Sequence, residues 1–586
     1  MTVYPTIHIA CPEQPQTIRP ALFGCNLEVT RRTFWAGLSA QMLNNRKFFA
    51  GTEEPCAWKL AGDAVYSREE TGCRVRLAGG GSVLQDVSVR PLCRGRAYQI
   101  RVLAAAQGDI TLSAEGGGIS AAWTGIGGEP QTLTATISAP GDRECFSFCL
   151  RAEGTGAVTL YAVSLMEADH FHGMRRDVLE RLKELAPAEL RFPGGCFAEV
   201  YRWKDSLLPP DQRPPVQPTL YEGDFLLGDT FGQDCMDLGI DEFMALCAYV
   251  GAAPVLTVPM IIISNQDSID LVEYCNGGPQ TAWGRQRAER GHPAPYAVRD
   301  WYVGNELYYF GRRLREDPSL AAEETRALVA AMKAVDPSIR IIGCFCPSLP
   351  EWTAGYLRGA AAVLDALSLH FYLTDPFAPN RHTMSDTVRA RVLPDAFVPL
   401  LKEGKQLADS LLEQSLPFSL DEWGYNWGER GTPVSMTVDA LLLTYLCAHA
   451  DDWGIEKALY FHPINEGLIL ADPKEARLDY TGRVFRLFAG HRGAQRLEAK
   501  GAGDGLAAAA SWGPEGLLIT LVNAARQNTQ RFRLTGDRLS EGTEGHGVIL
   551  TAGENGPEDT LVSWRVGDVC TLPPGAVAAI HFLQEA

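Results

Sequence analysis

Two glutamates carry the most chemistry in this sequence. Glu306 ends Val303-Gly304-Asn305-Glu306, and Glu422 sits in Leu420-Asp421-Glu422-Trp423. Each follows a short apolar run, Trp301 to Val303 and Phe418 to Leu420. A carboxyl group at the end of each of two strands suits glycoside hydrolysis, in which one protonates the departing oxygen and the other attacks the anomeric carbon. Retention of configuration needs the carboxyl groups about 5–5.5 Å apart. The pair must also differ in ionisation, with the acid neutral and the nucleophile charged. A lone Gly-Asn-Glu is a weak signal, so the weight falls on the elements around it.

Between Arg176 and Pro463 the pattern alternates short apolar strands with amphipathic helices. Val178, Leu179, Leu182 and Leu185 share one face of a helix from Arg176 to Leu185. That helix runs into Glu189-Leu190-Arg191-Phe192 and the turn Pro193-Gly194-Gly195. Ile240 to Val250 is a second helix, closed by Gly251, with a strand from Pro254 to Val258 after it. Asp317 and Pro318 supply a cap and first-turn proline for a helix through Val335, which leads to the strand Arg340 to Cys344. Further strand cores are Ala366 to Leu369 and Ala458 to Phe461, and the eighth comes from Ala21 to Glu28. Runs suited to burial on both faces indicate a parallel sheet. Eight such strands alternating with helices indicate an α/β chain built on a (β/α)8 TIM barrel. Strand counting alone leaves a doubly wound open sheet as the alternative.

Two regions fall outside that pattern. Residues 52–168 are Gly-rich with short alternating strands such as Tyr98 to Val102, and read as an inserted β-sandwich. Residues 491–586 read as a C-terminal β-sandwich, and the two β-rich regions could share one sandwich. The expected division is 1–51 for N-terminal strands and the first barrel strand, 52–168 for the insertion, 169–490 for the barrel, and 491–586 for the last domain.

Composition narrows the partners. With 46% hydrophobic and 21% charged residues the chain reads as soluble and globular. A formal charge of -18 without a basic run argues against nucleic acid or an anionic membrane surface as partner. No stretch approaches the roughly 18 apolar residues of a membrane span. The N-terminus lacks a basic start followed by an apolar segment, so a cytoplasmic protein is expected. The fifteen cysteines are scattered, and Cys344 and Cys346 lack the second pair a zinc site would need. They read as reduced thiols.

Several stretches resemble glycoside hydrolase family 51, the α-L-arabinofuranosidases of clan A. They are LFGCNLE at 22–28, ELRFPGGCF at 189–197, YRWKDSLLPPDQRP at 201–214, EYCN at 273–276, Trp283, GHPAPYAVRDWYVGNE at 291–306, SLHFY at 368–372 and DEW at 421–423. The resemblance implies Glu306 as acid/base, Glu422 as nucleophile and Asn305 on the sugar 2-hydroxyl. It implies Glu28 on hydroxyls of the terminal sugar and His370 with Tyr372 on the nucleophile side. Cys196 would line the pocket, and Trp283 would stack on sugar or pack in its loop. It also implies a carbohydrate-binding-module-like insertion at 52–168 and a homo-oligomer. Asp421 reads as structural, and Asn465 is a further strand-end candidate.

The expected activity is a retaining, exo-acting α-L-arabinofuranosidase that releases arabinofuranose from arabinose-containing oligosaccharides. No metal or organic cofactor is expected, because two carboxylates and water suffice. The chain departs from the usual family pattern at Trp423-Gly424-Tyr425-Asn426-Trp427 and after strand eight. Those departures keep open another clan A retaining glycosidase: an endo-β-1,4-glucanase, a xylosidase or another furanosidase acting on another glycoside. A non-catalytic carbohydrate-binding protein is the rival of a different class.

Overall fold

The computed structural model describes residues 4–69, 72–217, 227–372, 398–425, 430–503, 505–525 and 527–583. Its centre is a closed barrel of eight strands. In chain order they are β1 (Gly24–Asn26), β2 (Glu189–Phe192), β3 (Ala253–Val258), β4 (Asp300–Val303), β5 (Arg340–Cys344), β6 (Ala366–Tyr372), β7 (Phe418–Gly424) and β8 (Ile455–Phe461). Every neighbouring pair is parallel, and β8 closes onto β1 through Leu459–Gly24 and Phe461–Asn26. That closing pair excludes the open doubly wound sheet.

The strands are buried along most of their length because both faces are covered. β7 is buried at all seven positions. Val255, Tyr302, Ile342, Ala366 and Leu459 form the packed interior of the barrel. The helix Arg176–Leu185 buries Val178, Leu179, Leu182 and Leu185, the face expected from its spacing. The helix Ile240–Val250 ends where Gly251 takes a left-handed conformation, φ 81°. The Asp317 carboxylate caps Pro318–Val335 by accepting the Ser319 and Leu320 N–H groups at 3.0 Å.

The strand starts are pinned by charge. Lys457 on β8 donates to Glu189 on β2 at 2.8 Å and also to Asp300 on β4. Arg340 on β5 holds both oxygens of Glu456 at 2.8 and 2.9 Å. Burial raises the Glu189 carboxyl above its ordinary range, against the pull of Lys457.

The strands from Lys59 to Glu167 form two five-stranded sheets over a core that includes Val75, Tyr98, Ile100, Phe148 and Leu160. The C-terminal strands form a nine-stranded sheet around Ile519, Leu521, Phe532 and Trp564. The strand that joins it from the other end of the chain is Thr6–Ala10, antiparallel to Gln495–Lys500 and parallel to Gln530–Gly536. The two β-rich regions therefore do not share a sandwich, since each encloses its own apolar core. Arg101 in the insertion and Arg46 just before it meet at Asp211, each at 2.6 Å, and Arg46 also holds Asp237 at 2.9 Å. All fifteen cysteines are free thiols. Among the described residues no helix is long and apolar enough to cross a membrane.

Replacing Lys457 with Met strands two largely buried carboxylates, Glu189 and Asp300, at the barrel floor. Unfolding in urea at neutral pH should show a loss of about 3–5 kcal/mol. An unchanged midpoint would mean that the cluster does not hold the floor together.

Candidate active site

The barrel mouth is built by strand parity. Ala366, Ser368, His370 and Tyr372 alternate along β6, so the last three point inward toward the C-terminal end. On β7 the same alternation would turn one of Asp421 and Glu422 outward. Both pairings near them are irregular, between Leu369 and His370 on one side and between Leu420 and Trp423 on the other. The bulge lets both acids face the lumen, which is a common use of bulges beside active sites.

Arg191 on β2 is the hub of this floor. Its guanidinium is fully buried and lies 4.4 Å above the Tyr302 ring. It donates from Nη2 to Asn305 Oδ1 at 2.8 Å, from Nε to Thr257 Oγ1 at 3.0 Å, and from Nη1 to Glu422 Oε1 at 3.3 Å. Asp421 Oδ2 is 3.3 Å from the same Nη1. The Asp421 oxygen also accepts the Ser368 hydroxyl at 3.0 Å. Asp421 is thus a buried counter-ion, in line with a structural part. Glu422 takes the Tyr372 hydroxyl on Oε2 at 2.6 Å and the Asn26 amide on Oε1 at 3.4 Å.

Glu306 reaches the same space from β4. Its backbone is in the left-handed region at φ 45°, just after Gly304 at φ 73°. That conformation costs a non-glycine residue roughly 1–2 kcal/mol and is characteristic of functional turns. One Glu306 oxygen is 2.8 Å from His370 Nδ1. One oxygen of Glu306, one nitrogen of His370 and one oxygen of Glu422 all lie within 4.8 Å of one another. The two carboxyl groups therefore face one small space at the barrel mouth.

Glu28 closes the β1 side. Its Oε1 accepts the Phe197 N–H at 2.7 Å, and Thr30 and His462 lie 3.4 and 3.9 Å from its Oε2. The Gly194-Gly195 turn is dictated by these acids. A Cβ on Gly194, φ 99°, would fall 2.2 Å from the Glu28 Cβ, and one on Gly195 would fall 2.5 Å from Glu422 Oε1. Cys196 follows, with its sulfur 3.8 Å from Asn305 Nδ2.

Charge inside the mouth is unevenly shared. Burial would lower the His370 pKa, but the charge on Glu422 and hydrogen bonds to Asp421 and Glu306 hold it well above the ordinary value. The surrounding acids thus favour the protonated form of the His370 imidazole. Burial raises the Glu422 carboxyl, and His370 and Arg191 oppose that rise. Glu28 is pushed up to about 7, first by burial and then by the charge on Glu422. Glu306, His370 and Glu422 have the spacing of a metal-ligand trio. Two cations already sit among these acids, however, and a third positive charge beside the His370 imidazolium would be opposed.

The structure thus brings together Glu28, Cys196, Asn305, Glu306, His370, Tyr372 and Glu422. Trp283 belongs elsewhere, edge-on to Trp203 at 5.0 Å with Lys204 Nζ 4.9 Å above its ring. The structure does not bring it into the glutamate constellation. Asn465 clips loops together, donating to the Arg32 carbonyl at 2.8 Å and accepting from Ala471 N at 2.9 Å. Asn426 and Trp427 lie outside the described residues. Sequence reasoning passed over Arg191, Asn26 and His462. Arg191 had a signal, since an arginine inside the apolar run Glu189-Leu190-Arg191-Phe192 must find partners. His462, fully buried and pushed well below its ordinary pKa by burial and by Arg31, had none.

The closed parallel barrel thus carries paired glutamates at its C-terminal rim. Residues 181–389 match the alpha-L-arabinofuranosidase 1 domain. An intracellular exo-α-(1→5)-L-arabinofuranosidase of Acetivibrio thermocellus is 28% identical over 265 residues, covering 43% of this chain and 49% of that one. The match thus spans about half the length of that curated relative. An arabinose-bound family 51 α-L-arabinofuranosidase shares the fold with a TM-score of 0.75 at 17% identity, over 99% of both chains. So does a family 51 α-L-arabinofuranosidase from Bifidobacterium longum, TM-score 0.65 at 18% identity, over 99% of this chain and 100% of that one. Over residues 181–389 the chain is thus similar to the alpha-L-arabinofuranosidase 1 domain, and its fold is shared with family 51 structures.

The Glu28 shift has a consequence for stability. Its folded value of about 7 lies above the ordinary 4.5, so folding favours the protonated form. That stabilisation is complete below the unfolded pKa and is lost as pH rises through the folded one. Glu28→Gln should therefore flatten the fall in stability between about pH 4.5 and about pH 8, read as urea midpoints. Parallel pH profiles for variant and wild type would show that Glu28 is not the group responsible.

Proposed function

We propose that this protein is a retaining, exo-acting α-L-arabinofuranosidase that releases arabinofuranose from oligosaccharides by double displacement. The observation that carries the reading is the trio of Glu306, His370 and Glu422 donor atoms within 4.8 Å of one another. Glu422 is the nucleophile: Arg191 and Tyr372 bind its two oxygens and hold one lobe toward the anomeric carbon. Its attack forms a glycosyl ester as the bond to the leaving oxygen breaks, and Glu306 gives that oxygen its proton. Glu306 then takes a proton from water, which attacks the anomeric carbon and restores Glu422 as a carboxylate. The His370 imidazolium, between the two acids, favours the anion on each as it forms.

Glu28 and Asn305 bind sugar hydroxyls in this reading, and Cys196 lines the pocket beside Asn305. Arabinose as the sugar is supported by the family and by the activity named for the Acetivibrio relative. The same proposal divides the chain at 1–51, 52–168, 169–490 and 491–586. It includes a cytoplasmic setting, supported by the intracellular Acetivibrio relative, and a homo-oligomer by family analogy.

The test combines substrate, stereochemistry and two variants. Proton NMR of early products from an α-L-arabinofuranoside should show the α-anomer first. Glu306→Ala and Glu422→Ala should each lower kcat/KM by at least about a hundredfold while leaving the fold intact. Inactivity on arabinofuranosides alongside turnover of glucosides or xylosides would move the assignment to another sugar. Wild-type turnover by both variants would remove the mechanism.

A further inference from the structure

The Glu306 side of the mouth carries an exposed apolar surface that the reading above does not use. Tyr309, three residues beyond Glu306, is 42% exposed, and Ile262 in the loop after β3 is 47% exposed. The two loops lie against each other, since a Cβ on Gly311 would fall 2.8 Å from the Ile261 side chain. Tyr309 is rigidly coupled to the acid: its N–H donates to the Glu306 carbonyl at 2.7 Å, and the Phe310 N–H donates to the same oxygen at 3.0 Å. Beneath it the buried Tyr308 meets the ring edge-on at 4.7 Å, and Tyr308 in turn rests edge-on against Trp352 at 5.6 Å. The ring is therefore presented to solvent on a fixed aromatic base.

Tyr309 is singled out by its position, since it follows the Glu306 turn and stays open to solvent. An exposed aromatic face suits a ligand that itself has an apolar side. A sugar ring has that character, with C–H groups on its faces and hydroxyls at its edge. The direction of the chemistry selects which ring. Glu306 protonates the leaving oxygen, so the departing group must lie on the Glu306 side. We propose that Tyr309 is the platform for the first sugar of the leaving group, a neutral pentose or hexose ring of an oligosaccharide. This rests on the glycosidase reading and adds to it the surface that selects the leaving group.

The experiment compares two donors that share the arabinofuranosyl group and differ in what departs. One is an α-1,5-linked arabinobiose, whose leaving group is a sugar; the other is α-L-arabinofuranosyl fluoride, whose leaving group cannot reach the platform. Tyr309→Ala should lower kcat/KM for the disaccharide by about tenfold and leave the fluoride within about twofold. Tyr309→Phe, which keeps the ring, should stay near wild type on both. Equal losses on the two donors would overturn the proposal, because the ring would then be supporting the Glu306 turn instead of a sugar. No loss on either would overturn it as well. Wild-type protein that turns over neither donor would remove the glycosidase reading, and the platform with it.

Discussion

Arg191 is the constraint around which the barrel mouth is organised. A guanidinium with no solvent contact carries a desolvation penalty of several kcal/mol, which only close, well-aligned partners offset. Here the partners come from three other strands: Thr257 on β3, Asn305 after β4, and the acids of β7. Tyr302 fills the space below it and is itself fixed by a 2.6 Å hydrogen bond to Ser419 on β7. One side chain thus sets the separation between the turn that carries Glu306 and the strand that carries Glu422. Its rigidity is of the kind a catalytic pair needs, because errors of an ångström in such sites cost orders of magnitude in rate.

The same cluster explains the electrostatics. Glu28, Glu306, Asp421 and Glu422 crowd into a space with two buried cations, Arg191 and His370. Protons must take up part of the remaining negative charge, and the Glu28 shift shows one place where they go. Part of that arrangement is paid for elsewhere, at the ion cluster of Lys457, Glu189 and Asp300 under the barrel and at the Arg46 cluster beside it.

Much of this was legible in the sequence, for physical reasons. Strands buried on both faces leave long apolar runs, so all eight barrel strands could be located, and helices with strong caps such as Asp317-Pro318 and Gly251 were bounded to the residue. Residues at strand ends followed, including Glu28, Asn305, Glu306, His370, Tyr372 and Glu422. What escaped depends on contacts between distant segments. The inward turn of both Asp421 and Glu422 arises from a bulge that no local pattern announces. The pairing of Thr6–Ala10 with strands some five hundred residues away is likewise invisible to periodicity. Trp283 illustrates the converse, since an aromatic in a sugar-site motif was placed by the fold against Trp203 and Lys204.

The central claim is that Glu422 becomes covalently glycosylated while Glu306 manages the proton. It is tested most directly by trapping. In Glu306→Ala an activated dinitrophenyl α-L-arabinofuranoside still reacts in the first step, because its leaving group needs no proton, and the second step stalls. Intact mass spectrometry should then show a gain of one pentosyl group, and peptide mapping should place it on the fragment containing Glu422. An adduct on another residue, or turnover without any adduct and with inverted product, would contradict the account.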